Sequence, residues 1–139
     1  MAGLDGRELV RLYVEEFINR RNYAIGEEIL GQEFLYHGPN GPARSGRDAY
    51  VRGSAAFLVA FPDWRAEIRD VLVDGNLISD RVHISATHTA SINEAPATGE
   101  VIDDDCAHLW RVEGGRLVEG WLFCNANMLR VMRLAASRG

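Results

Sequence analysis

Val101-Ile-Asp-Asp-Asp-Cys-Ala-His-Leu-Trp-Arg-Val112 and Arg116-Leu-Val-Glu-Gly-Trp-Leu-Phe-Cys-Asn-Ala-Asn127 flank a Gly114-Gly115 step. Two alternating runs around a Gly-Gly dipeptide read as a β-hairpin, because glycine supplies the positive φ that a tight turn demands. Counting back from a two-residue turn pairs Val112 with Leu117, Trp110 with Glu119 and His108 with Trp121. It also pairs Cys106 with Phe123 and Asp104 with Asn125. Alternate strand residues point the same way, so these side chains share one face. That face mixes apolar and aromatic groups with an acid, an imidazole and an amide. Polar groups on a buried face need partners or have a function. The hairpin is therefore the first place to look for chemistry.

Immediately upstream, Ile78, Val82, Ile84, Ala86, Ala90 and Ile92 form the apolar phase of a long strand. Ala66, Ile68 and Leu72 are the apolar phase of the strand before it. A three-residue turn, Asp74-Gly75-Asn76, would set Ile68 opposite Val82 and Ala66 opposite Ile84. A two-residue turn would set Ile68 against Arg81, and a one-residue slip turns every side chain over. His88 falls on the apolar side, whereas His83 falls on the polar side with Arg81, Ser85 and Thr87. An imidazole on an apolar face is either a satisfied core histidine or a site residue. A loop centred near Pro96 would bring His88 towards Asp104.

The first half of the chain is helical in pattern. Asp5-Gly-Arg-Glu8 reads as a capping box, with Asp5 as N-cap and Glu8 reaching back. Leu9, Tyr13 and Phe17 recur at helical spacing, which predicts a helix from about Arg7 to Arg21. A second short helix is expected around Ala24 to Leu30, then an extended piece, Phe34 to His37, and a Gly/Pro loop, Gly38 to Gly46. Asp48 to Phe61 reads as a helix stopped by Pro62. Its many apolar positions predict burial on more than one side. Met128 to Ala136 reads as a final short helix. Helices followed by four long antiparallel strands make an α+β domain, with a pocket expected between sheet and helices.

A chain of 139 residues reads as a single domain over 1–139 with room for a core. Its net charge of -5 argues against a nucleic-acid or anionic-membrane surface. No apolar run is long enough to span a bilayer and the start is short and polar, so the expected location is cytoplasmic. Cys106 and Cys124 fall on opposite faces of the hairpin in the register above and read as two free thiols. The sequence has no CxxC, HExxH, Walker or GxGxxG motif.

Several stretches together resemble one family: the Tyr13-to-Phe17 helix, Tyr36-His37-Gly38-Pro39, Gly46-Arg47-Asp48 and Phe61-Pro62-Asp63-Trp64. With them come Thr87-His88-Thr89, Pro96-Ala97-Thr98-Gly99, and Leu109 to Trp121 with its Gly-Gly turn. In that order and spacing, over nearly the whole length, the chain resembles the SnoaL-like polyketide cyclases of the nuclear transport factor 2-like superfamily. The resemblance implies a cone: a strongly curved antiparallel (mixed) sheet wrapped by N-terminal helices and enclosing a hydrophobic pocket. It implies a homodimer, for which the outer face of the hairpin (Ala107, Leu109, Val118 and Leu122) is the natural surface. It also implies an intramolecular aldol closure of a polyketide ester by acid/base chemistry, with no metal or organic cofactor.

Carried over residue by residue, the resemblance puts His108 and Asn125 where the family has carboxylates. It retains His88, His37 and Trp121. An imidazole near its ordinary pKa can replace a carboxylate as base. The expected catalytic residues are then His108, Asp104 (as orienting group or base) and His88. The expected substrate-binding residues are His37, Trp121, Asn125, Phe123, Tyr13 and Tyr50, with Asn125 and the Trp121 N–H as donors to an enolate oxygen. The partner is a small hydrophobic ligand. The competing readings are a non-catalytic ligand-binding or dimeric scaffold protein, and a related isomerase, dehydratase or epoxide hydrolase.

Overall fold

A computed structural model describes residues 4–39, 43–91 and 96–136. Ile92 and the start of the predicted 93–100 loop lie outside these residues. Among the described residues the helices are α1 (Gly6–Arg11), α2 (Gly26–Ile29), α3 (Arg47–Val59) and α4 (Ala126–Ala136). The strands are β1 (Leu30–His37), β2 (Arg44–Ser45), β3 (Arg65–Asp74), β4 (Leu77–Thr87), β5 (Val101–Glu113) and β6 (Arg116–Cys124). They form one sheet in the order β2-β1-β6-β5-β4-β3. Every described pairing is antiparallel except β1 with β6, which is parallel. The sheet is thus mixed and open, and the helices bury its apolar face, as expected for an α+β fold.

α1 starts where Asp5 accepts the Glu8 amide at 2.9 Å. Only half of the predicted box forms, because the Glu8 carboxylate is taken by Arg11, whose Nε donates at 2.9 Å. Beyond Arg11 the helix widens into a π-helical stretch, Leu12–Asn19, with Arg20 N bonded to Glu15 O at 3.2 Å. Leu9, Val10, Tyr13, Val14 and Phe17 are all buried. The predicted Ala24–Leu30 helix splits into a 3₁₀ turn, Tyr23–Ile25, followed by α2. α3 is shallower than its composition suggests: only Tyr50 and Leu58 are buried.

The hairpin forms, but its register departs from a simple count. Glu113 faces Arg116 across Gly114-Gly115, both glycines with positive φ, and Val112 faces Leu117. Arg111 then faces Glu119, so Val118 is an inserted β-bulge residue. From there onward the phase of β6 is reversed: Trp110 faces Gly120, Leu109 faces Trp121, His108 faces Leu122 and Cys106 faces Cys124. The packing explains the bulge. Without it the Glu119 carboxylate would sit under the fully buried Trp110. With it, Gly120 lies there instead, and a Cβ at that position would stand 2.6 Å from the indole ring. Trp121 and Phe123 consequently leave the face of His108 for the outer face, and Phe123 is 57% exposed. Leu122, expected outside, turns inward. Cys106 and Cys124 are directly opposed rather than on opposite faces, and both are free thiols.

A second bulge corrects the β3–β4 hairpin. Its turn has two residues, Asp74 facing Leu77, yet Ile68 still faces Val82 and Ala66 faces Ile84, because Arg69 is inserted. Leu72, on the turn side of that bulge, faces Ser79 and is 70% exposed, outside the apolar phase first given to it. β4 ends at Thr87, short of the long strand predicted.

Candidate functional site

A cavity of about 320 Å³ lies between the inner face of the sheet, the π-helical stretch, α3 and α4. Its walls are largely apolar, with Val82, Ile84, Leu122, Phe57, Trp64 and Met128 among them. Its polar groups are few: the Tyr13, Tyr36 and Tyr50 hydroxyls, Ser54, Cys106, His108 and, at the opening, Arg44. No carboxylate lines it among the described residues.

His108 is held by a residue that the sequence reading passed over. Asp80 stands opposite it in the β4–β5 ladder and is only 3% exposed. Its Oδ1 accepts the His108 backbone amide at 3.1 Å and His108 Nδ1 at 3.0 Å, and its Oδ2 accepts Trp110 Nε1 at 2.9 Å. Three donors offset the cost of burying the carboxylate. Donation from Nδ1 leaves Nε2 as the lone-pair nitrogen of a neutral ring. Nε2 makes no hydrogen bond among the described residues, and the 6% of His108 that stays accessible belongs to a residue lining the cavity. The ring is clamped, stacked on Trp110 at 4.7 Å and edge-on to Tyr13 at 5.8 Å.

Tyr13 and Tyr50 share a 2.5 Å hydrogen bond between their hydroxyls. Burial, before any other cause, pushes both phenols above their ordinary range, and Tyr36 with them. They are therefore neutral hydroxyls at physiological pH, able to donate. Ser54 stands one helical turn after Tyr50 on α3 and also lines the cavity. Tyr13 stands on the π-helical stretch, a rare winding that recurs at functional sites and here turns Tyr13, Val14 and Ile18 to the cavity.

The other predicted site residues lie elsewhere. His88 is fully buried but not at the cavity: its Nδ1 is bonded to the Thr98 hydroxyl at 2.9 Å, and it packs on Phe61 at 5.4 Å. The register sets Asp104 opposite Ile84, while the His88 amide bonds Glu100 O, so the two do not meet. Asp104 accepts Asn127 Nδ2 at 3.2 Å, away from the cavity. The Asn125 side chain caps α4 by accepting Met128 N at 2.8 Å. His37 stacks flat on Trp121 at 4.8 Å and bonds Glu119 at 2.8 Å, on the face that the bulge turned outward. Of the nine, His108, Tyr13 and Tyr50 come together. The missed Asp80 had left a trace: it interrupts the apolar phase of β4 between Ile78 and Val82.

Comparison with known proteins agrees with this architecture. The family described as SnoaL-like polyketide cyclase matches residues 8–132. None of the curated proteins is similar enough to match. Among solved structures, a candidate SnoaL-like polyketide cyclase from Jannaschia sp. CCS1 superposes with a TM-score of 0.81 at 17% identity, covering 96% of this chain and 92% of its own. IdmH, a candidate polyketide cyclase from Streptomyces antibioticus, gives 0.75 at 21% identity, with 91% and 96% covered. A candidate polyketide cyclase from Acidithiobacillus ferrooxidans gives 0.75 at 23% identity, with 93% and 94% covered. At these identities the likeness is one of fold.

Proposed function

Because the chain belongs to the SnoaL-like polyketide cyclase family, we propose that its cavity is the active site of a small acid/base enzyme. Its substrate is a hydrophobic, carbonyl-bearing molecule, and its reaction is an intramolecular aldol ring closure. The observation that carries the reading is the buried His108–Asp80 pair, bonded at 3.0 Å through Nδ1, with Nε2 left without a partner among the described residues on a residue that lines the cavity.

In this mechanism His108 Nε2 takes the proton from the carbon next to a carbonyl. The electron pair moves onto the carbonyl oxygen, giving an enolate. Asp80 stabilises the imidazolium that forms, while Trp110 Nε1 and the His108 amide keep the carboxylate in place. The neutral Tyr13–Tyr50 pair donates to the enolate oxygen. The enolate carbon then attacks a second carbonyl of the same molecule and a carbon–carbon bond forms. The new alkoxide takes the proton back from His108 Nε2. Apolar walls exclude water from the enolate.

The direct test follows hydrogen–deuterium exchange at the activated carbon of an aromatic β-keto ester by NMR. Wild-type protein accelerates the exchange, and His108→Ala, folded by circular dichroism, loses about 10²- to 10⁴-fold of it. Full activity in that variant overturns the assignment. A wild-type protein that binds the ester without exchanging its proton overturns it in favour of ligand binding without turnover.

A further inference from the structure

We propose that the ligand carries an anionic group, a carboxylate or its equivalent, and that Arg44 binds it at the mouth of the cavity. The inference rests on the cavity being the substrate site and adds the chemical class of what enters it. Arg44 is exposed and also lines the cavity, which places it at the opening. It belongs to β2, whose pairing with β1 sets it opposite Tyr36, another lining residue. Its base is thus fixed by the sheet while its guanidinium reaches α3. There Gly53 leaves room: a Cβ on Gly53 would stand 3.1 Å from Arg44 Nη1.

The charge balance around the opening is one-sided. The protein carries 20 acidic residues and a net charge of -5, yet no carboxylate lines the cavity among the described residues. Among the described residues the Arg44 side chain has no ion pair or hydrogen bond, unlike those of Arg11, Arg81 and Arg130, which all hold carboxylates. A guanidinium left unpaired over an apolar chamber suits an anion whose body is hydrophobic. It also draws such a molecule to the opening against the repulsion of an acidic protein. From Arg44 inward the polar groups follow in sequence: Ser54 beside Gly53, Tyr50 one helical turn from Ser54, Tyr13 bonded to Tyr50, and His108 against Tyr13. A ligand anchored by its anion at Arg44 would present its carbonyl groups along this track to Nε2.

Two fluorescent probes with the same ring framework separate charge from hydrophobicity: anionic 1-anilinonaphthalene-8-sulfonate and neutral N-phenyl-1-naphthylamine. Titrations on wild type, Arg44→Gln and Arg44→Lys are compared, with mutual displacement reporting whether the probes share the cavity. Arg44→Gln is expected to weaken the sulfonate by about tenfold, the scale of one charged hydrogen bond. It should leave the neutral probe within about twofold, since apolar burial is unchanged. Arg44→Lys recovers part of the loss. Equal sulfonate binding in wild type and Arg44→Gln overturns the proposal, as does sulfonate that the neutral probe cannot displace. Failure of both probes to bind overturns the cavity reading beneath it. Loss of exchange chemistry alone, with the anion preference intact, would instead strike only the catalytic reading.

Discussion

Asp80 lies directly across the β4–β5 ladder from His108, and a single carboxylate oxygen accepts both the His108 ring Nδ1 (3.0 Å) and its backbone amide (3.1 Å). The arrangement fixes the tautomer and the orientation of the ring together. Asp80→Asn keeps the size of the side chain but removes the charge that stabilises the imidazolium and can reverse the tautomer. Turnover is expected to fall by about 10²- to 10⁴-fold, with substrate binding little changed. Asp80→Ala should instead reveal itself in urea unfolding. It strands Trp110 Nε1 in the core, at about 1–3 kcal/mol. An Asp80→Asn variant with wild-type turnover would show that the carboxylate only holds the fold.

Gly120 gives a purely structural prediction. Its missing side chain is the floor on which Trp110 lies, and an added Cβ would come within 2.6 Å of the ring. Trp110 is fully buried, clamped by His108, and tied to Asp80 through Nε1, so it cannot swing aside. Gly120→Ala is therefore expected to destabilise by about 1–3 kcal/mol or more, read as a lowered unfolding midpoint. Because the indole also supports His108, proton-exchange activity should fall with it. An unshifted midpoint would mean that the strand yields at the Val118 bulge.

These two positions show what could and could not be read before folding. Helix starts and stops were local and legible: the Asp5 cap, Pro62 after the third helix, and the Gly114-Gly115 turn all act where they stand. His108 was found because its inward phase depends on β5 alone. The members of its supposed face on β6 were misplaced because their phase depends on one inserted residue, Val118, whose cause is Trp110 lying over Gly120 across the ladder. Arg69 plays the same part in β3. A bulge has no local signature when the reason for it sits on the neighbouring strand. Asp80 was missed for a related reason: an acid in an apolar phase reads as an interruption until its three donors are in place. The parallel pairing of β1 with β6 joins segments far apart in sequence, and nothing near either strand announces it.

The outer face supplies a pH dependence. His83 bonds Asp105 through Nδ1 at 2.8 Å and Asp103 through Nε2 at 2.7 Å, so both ring nitrogens must carry protons. Arg81 also holds Asp105, and Glu67 faces His83 from β3 while engaged with Arg69. The bond to Asp105, then that to Asp103, raises the His83 pKa above 6.5. His83 first, then Arg81, lowers that of Asp105 below 3.8. A raised histidine stabilises the fold fully below its unfolded value of about 6.5 and loses that contribution as pH rises through the folded value. A lowered aspartate contributes above its unfolded value and loses the contribution as pH falls through the folded one. The cluster should therefore matter most between about pH 4 and pH 6.5. His83→Gln is expected to lower the melting temperature relative to wild type in that window, and the difference should vanish at alkaline pH. A difference that does not vary with pH would show that His83 acts through packing alone. Added salt should shrink it, since all these groups face water.

The tyrosine pair bears on the proposed chemistry from the other side of the cavity. Two hydroxyls 2.5 Å apart share one hydrogen bond between two protons, so one proton remains for another acceptor. Of the two, Tyr13 is the one that packs against the His108 ring, where the enolate oxygen would form. Tyr13→Phe is expected to lower turnover by about 10²-fold, the usual loss on removing one oxyanion donor. Stability should change by only about 1 kcal/mol, the scale of one lost hydrogen bond. Tyr50→Phe leaves the Tyr13 hydroxyl in place but less fixed, and its loss should be about tenfold or less. The ratio of the two effects is the measurement: kcat for each variant on a common substrate, with stability read in parallel. If Tyr50→Phe proves the more damaging, the oxyanion lies nearer α3. If neither changes kcat, the hydroxyl pair serves the core and charge on the enolate is stabilised elsewhere.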